Sequence, residues 1–221
     1  GGHYNLEIFD NVAKVWRRFS NHDNFAENVN FPPIHTPSNK LMINGFPILH
    51  NNIFVVPTYY GVFIYRLGEQ DYSYISYDPD FARNAPQKVL DNLRTDGHSL
   101  QSACFKHNKL LISQFQQLLY YDYDTDEVVV FNVDGNGLNQ PANTSISFED
   151  YVDVNVHGEL FACNEYGAWY YNPKTGVSHQ FAYSTYYPRR LSGYLRYPNS
   201  IKGYGITDTG ILYAAGSEYD Q

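Results

Sequence analysis

The chain is written in short apolar runs, alternating or continuous, each broken by Asn, Asp, Gly or Pro. Four runs share one pattern: Ile48–Val56 (ILHNNIFVV), Phe105–Ser113 (FKHNKLLIS), Asn155–Cys163 (NVHGELFAC) and Ile206–Ala214 (ITDTGILYA). In each, an apolar strand end meets a His or Asp, then a small or polar turn residue, then a second apolar run. The anchors His50, His107, His157 and Asp208 lie 57, 50 and 51 residues apart. After each of the first three anchors come two further aromatic and β-branched runs with a tight turn between them. These are 61–66 and 71–77, then 118–123 and 127–133, then 168–171 and 177–183. Period-2 apolar patterning with turn-forming residues between the runs predicts antiparallel hairpins.

The fourth repeat has only two strands before the chain stops at Gln221. The missing pair is at the front, Leu6–Phe9 (LEIF) and Val12–Phe19 (VAKVWRRF) about a turn at Asp10-Asn11. A strand-rich repeat of roughly 40–50 residues is the mark of a radial array of sheets. The layout over essentially the whole chain resembles β-propeller proteins, without the Trp-Asp, kelch or hemopexin motifs. The expected fold is all-β, a single four-bladed β-propeller over residues 1–221. Its blades are 41–80, 101–134, 151–184 and 200–221 plus 3–20, the last closed by amino- and carboxy-terminal strands. Closure of that kind removes free sheet edges. It also predicts that residue 221 is a natural end, and Gly1-Gly2-His3 reads as a mature or processed start without a signal-peptide pattern.

Four connections, about 20–45, 80–101, 135–150 and 184–200, are long and rich in Pro, Asn and Ser. Loops of such length in a compact domain usually carry function. Only Pro86–Arg94 (PQKVLDNLR) has helical spacing, at Val89, Leu90 and Leu93. A chain of 221 residues suffices for one domain with a sizeable core, and no apolar run approaches the length of a membrane span. Cys104 and Cys163 fall in predicted strands and read as buried small hydrophobes, with a bridge between neighbouring blades as the alternative. The sequon Asn143-Thr144-Ser145 suits a secreted or extracellular protein.

The net charge of −8 conceals segregation. Residues 110–173 hold ten acids and no Lys or Arg, whereas 174–207 hold five bases and no acid. Adjacent sectors of opposite sign bear on binding and steering rather than on fold.

Candidate chemistry follows from these placements. His50, His107, His157 and Asp208 have metal-ligand chemistry, but equivalent turns of separate blades stand too far apart for one ion, and His and Asp are ordinary turn residues. Asp122, Asp124 and Asp126 imitate a calcium loop but lack its glycine and distal Glu, so a solvated hairpin accounts for them. No metal or cofactor is expected. No catalytic motif is present. Asp150 and Asp153 are the one carboxylate pair that could face an axial channel, as in propeller glycosidases.

The segment 183–197 (YSTYYPRRLSGYLRY) combines tyrosines with three arginines and no acid. Tyrosine offers flat apolar area with a hydroxyl, and arginine offers forked donors for anionic groups. The short loops between second and third strands carry Tyr59, Tyr60, Phe115, Tyr166 and Tyr219, which a propeller would set on the same face. The expected ligand-binding residues are Tyr60, Phe115, Tyr166, Tyr186, Tyr187, Arg189, Arg190, Tyr194 and Arg196. They point to a non-enzymatic, lectin-like module for carbohydrate or anionic glycan. The other readings are an interaction protein in a larger extracellular or viral assembly, including a homo-oligomer, and a glycosidase. An acidic chain with one short basic stretch is poorly suited to nucleic acid.

Overall fold

A computed structural model describes residues 5–20, 34, 36, 43, 47–95, 100–114, 117–132, 151–164, 167–182 and 201–216. Over these the protein is all-β, with sixteen strands in five antiparallel sheets. Three sheets are four-stranded meanders and two are hairpins. The chain divides into two compact units, residues 1–101 and 102–221. No helix among the described residues is long and apolar enough to cross a membrane.

The amino-terminal unit begins with the hairpin β1 (Asn5–Asp10) and β2 (Val15–Ser20). The meander of β3 (Ile48–His50), β4 (Ile53–Pro57), β5 (Gly61–Arg66) and β6 (Ser73–Ser76) follows. Alternation along the hairpin turns Leu6, Ile8 and Phe19 inward, where they join Val56, Phe63, Tyr65, Tyr72 and Tyr74 in one apolar cluster. Phe19 is at its centre, with ring centroids 4.6 Å from Phe63, 5.2 Å from Tyr65 and 5.8 Å from Tyr72. Spacings of this kind are favourable for tilted and edge-on aromatic pairs.

The hairpin's turn is longer than the sequence predicts, because β2 starts at Val15 rather than Val12. Asp10 Oδ1 accepts the amides of Val12 and Ala13 at 3.0 and 2.9 Å, and Lys14 takes a left-handed φ of 60°. The side chain thus holds residues 11–14 in a turn that would otherwise continue the strand. Asp10 Oδ2 accepts the Tyr65 hydroxyl and the Gly68 amide at 2.6 and 2.7 Å, which ties the turn to β5 and the bend after it.

The helical spacing at 86–94 yields only one turn, α1 (Gln87–Leu90), with Val89 and Leu93 buried. Pro86 begins it, but it has no side-chain cap, and a single turn gains too few hydrogen bonds to extend on its own. The segment before it is held against β6 by the Tyr74–Arg83 backbone bridge, and Arg83 Nε and Nη2 both donate to Asp71, just ahead of that strand, at 3.0 Å.

The carboxy-terminal unit holds all but the first two residues of the meander β7 (Leu100–Lys106), β8 (Lys109–Gln114), β9 (Gln117–Asp122) and β10 (Glu127–Asn132). A second comprises β11 (Tyr151–Val154), β12 (Leu160–Asn164), β13 (Gly167–Asn172) and β14 (Val177–Ala182). The pair β15 (Ile201–Ile206) and β16 (Leu212–Gly216) completes it. β8 and the first five residues of β9 are buried throughout, so their centres, Leu110–Ile112 and Leu118–Tyr121, read as continuous apolar runs rather than alternating ones. The two meanders meet through Phe131 of β10, whose ring is 5.0 Å from Trp169 and 4.8 Å from Tyr171 of β13.

Candidate functional site

Of the residues the sequence singles out for ligand binding, Tyr60 is the one that the structure describes. Phe115, Tyr166, Tyr186, Tyr187, Arg189, Arg190, Tyr194 and Arg196 lie outside the described residues, as do Tyr219 and the sequon at Asn143.

Tyr60 sits in the turn between β4 and β5, and the turn is rigidly built. The Thr58 amide and hydroxyl both donate to the Gly61 carbonyl at 2.7 Å, and the Gly61 amide returns to Thr58 Oγ1 at 3.0 Å. Position 61 requires glycine, since a Cβ there would run into the Ile75 carbonyl. The Tyr60 carbonyl accepts Ser76 Oγ at 3.2 Å and the Tyr77 amide at 3.3 Å, and the Tyr59 carbonyl accepts the Leu100 amide at 3.3 Å.

These bonds present three rings together. Tyr60 meets Tyr59 edge-on at 5.0 Å and lies 5.9 Å from Tyr77. Tyr59 is exposed, while Tyr60 and Tyr77 are half-buried. Partial burial raises the Tyr77 phenol, and the neighbouring Tyr60, Tyr59 and Asp78 reinforce the shift. The cluster is a hydroxyl-rimmed aromatic step on a hydrogen-bonded turn, suited to stacking and hydrogen bonding.

In the carboxy-terminal unit the noteworthy group is Asp153. Its side chain is buried, and both oxygens are engaged. Oδ1 accepts Lys106 Nζ at 2.5 Å and Cys104 Sγ at 3.4 Å, and Oδ2 accepts the Ile206 amide at 3.0 Å. One carboxylate thereby joins β7, β11 and β15, the first strands of three successive sheets. Asp153 is a strut between sheets, while its sequence companion Asp150 lies outside the described residues. Cys104 is a free, fully buried thiol, so the bridge to Cys163 is not formed. Burial, together with the adjacent Asp153 charge, pushes that thiol well above its ordinary range.

The anchors of the repeats come closer than equivalent turns were expected to. Asp208 Oδ1 accepts the Val156 amide at 3.2 Å and stands 3.6 Å from His107 Nε2, linking the turns of three sheets. Among the described residues no group of three or more His, Cys, Asp or Glu is arranged to hold a metal ion. The acidic turn after β9 is likewise occupied by its own neighbours. Lys109 Nζ lies 3.4 Å from Asp122 and 3.5 Å from Asp124. Asn108 donates to Asp124 at 3.0 Å, and Tyr121 to Asp126 at 2.7 Å. The alternating carboxylates are spent on closing a hairpin.

No family model and no curated protein matches the chain. Several solved structures align with parts of it at low identity. The extracellular domain of a one-component system from B. thetaiotaomicron aligns over 82% of this chain at 14% identity and a TM-score of 0.44. A chain of the mitotic checkpoint complex aligns over 76% at 9% identity and a TM-score of 0.42. PorZ, a surface component of the type-IX secretion system of Porphyromonas gingivalis, aligns over 92% at 13% identity and a TM-score of 0.33. The alignments span 22%, 43% and 26% of those proteins' own chains.

Proposed function

We propose that this chain is a non-enzymatic carbohydrate-binding module, secreted or extracellular, on a four-bladed propeller frame sealed by its two terminal hairpins. The reading is supported by the order of the sheets, in which four-stranded meanders recur and a hairpin stands at each end of the strand sequence. The observation that carries it is the Tyr59–Tyr60–Tyr77 step, where an immobilised turn exposes aromatic faces beside phenolic hydroxyls. Pyranose rings present just these needs, an apolar C–H face and a rim of hydroxyls. The composition of segment 183–197, rich in tyrosine and arginine, extends the ligand class to anionic glycans.

A glycan array probed with the intact chain and with Tyr60→Ala tests the reading. Binding that is weakened in the variant is expected. A background signal for every sugar ends the proposal.

One observation favours a second reading, an interaction protein within a larger assembly. The ten acids of 110–173 followed by the five bases of 174–207 would let copies or partners dock through opposite charges. Light scattering at low and high salt separates the two, because charge-driven assembly dissolves as ionic strength rises.

A further inference from the structure

The β1–β2 hairpin borders a cavity of about 370 Å³ lined by Glu7, Trp16, Arg17 and Arg18. Its construction follows from strand register. Glu7 pairs with Arg18 and Phe9 with Trp16, so these residues project to the side opposite the buried Leu6, Ile8 and Phe19, while Arg17, paired with Ile8, is buried and reaches the cavity from the other side. Trp16 is 69% exposed, whereas the chain's other tryptophan, Trp169, is 1% exposed. Leaving an indole in water forgoes the burial that normally places large aromatics inside, and the tilted Phe9 ring 5.5 Å away widens the apolar patch. Beside it, Arg18 Nε donates to Glu7 Oε1 at 2.6 Å.

We infer that this cavity is a binding site for a neutral sugar. The indole supplies a flat face for pyranose C–H groups. The ion pair occupies Glu7 Oε1, so Glu7 Oε2 and the remaining guanidinium hydrogens are the groups that meet hydroxyls. Charge balance selects against an anion: Arg18 is neutralised by Glu7 at 2.6 Å, and Arg17 faces Asp10 at 3.7 Å. The volume is at the small end of ligand pockets and fits one or two sugar units. The site shares the carbohydrate class with the function proposed above but none of its residues.

Trp16 is its own reporter. Titration with methyl glucoside, galactoside and mannoside and their β-linked disaccharides is expected to shift tryptophan emission saturably and to shield it from acrylamide. Calorimetry on Trp16→Ala should show binding about tenfold weaker or worse, and Trp16→Phe an intermediate loss. Glu7→Gln removes the charge that neutralises Arg18 as well as a hydroxyl acceptor, and is expected to weaken binding of the neutral sugar. The assignment is overturned if no sugar of the panel gives a saturable change. It is equally overturned if affinity survives in Trp16→Ala, or if Trp16 is already shielded from acrylamide without sugar. Tyr60→Ala leaves the Trp16 titration intact, so a lost array signal in that variant alone bears on the other site.

Discussion

The Tyr65 hydroxyl donates to Asp10 Oδ2 over 2.6 Å, joining the third strand of the first meander to the turn of the amino-terminal hairpin. The two residues are 55 positions apart, and the bond closes the polar edge of the cluster around Phe19. Tyr65→Phe is expected to cost about 1.5–3 kcal/mol, the range for a hydrogen bond to a charged acceptor. Asp10→Ala should cost about 2–4 kcal/mol, because it also strips the acceptor from three amides. In a double-mutant cycle by urea denaturation the two losses should fall short of additivity by at least about 0.5 kcal/mol. Strict additivity would mean that the bond contributes nothing.

The same carboxylate sets an acid limit. Burial alone would raise Asp10, but donors from Ala13, Tyr65, Gly68 and Val12 outweigh it and hold the group down to about 2. Its folded value is below the ordinary carboxylate value, so its stabilisation is complete above about pH 4 and is lost as pH falls through 2. Acid unfolding followed by near-ultraviolet dichroism should show Asp10→Asn losing less stability than the parent between pH 4 and 2. Parallel acid curves would contradict the assignment.

Asp153 makes a harsher prediction. Asp153→Ala leaves the Lys106 ammonium, the Cys104 thiol and the Ile206 amide without their shared acceptor, a loss of about 3–5 kcal/mol for a broken buried pair. Adding Lys106→Met removes the stranded charge and should recover part of that loss. Thermal melts of the single and double variants decide it, and equal midpoints would show that the charge was never confined.

Cys104 should resist alkylation. The thiol is buried, and its pKa lies well above the ordinary value, so little thiolate exists at neutral pH. Iodoacetamide labelling read peptide by peptide should leave Cys104 unmodified in the native protein and modify it readily in urea. Rapid native labelling would place the residue at the surface.

Much of the strand order was legible in the chain. The run 61–66 coincides with β5, and 118–123 and 127–133 agree with β9 and β10 to within a residue. Those turns are decided locally, by residues that favour left-handed backbone, such as Asn51, Asn52, His107, Asn108 and Asp126. Boundaries slipped where a side chain competed for backbone amides. Asp10 pulled residues 11–14 out of β2, a contact that an Asp two places before a strand only hints at. Alternation sets Trp16 and Phe9 opposite Leu6, Ile8 and Phe19. Their aromatic character reads equally well as core, and only burial separates the two faces.

Asp153 marks the boundary of what pattern can tell. Its apolar neighbours suffice to announce a strand, because periodicity and turn chemistry act over a few residues. Its partners Cys104, Lys106 and Ile206 are 47 to 53 positions away, and no local rule selects them. Such a carboxylate, read alone, could equally be catalytic. Packing made it a strut, since a charge removed from water persists only where donors from several strands converge on it.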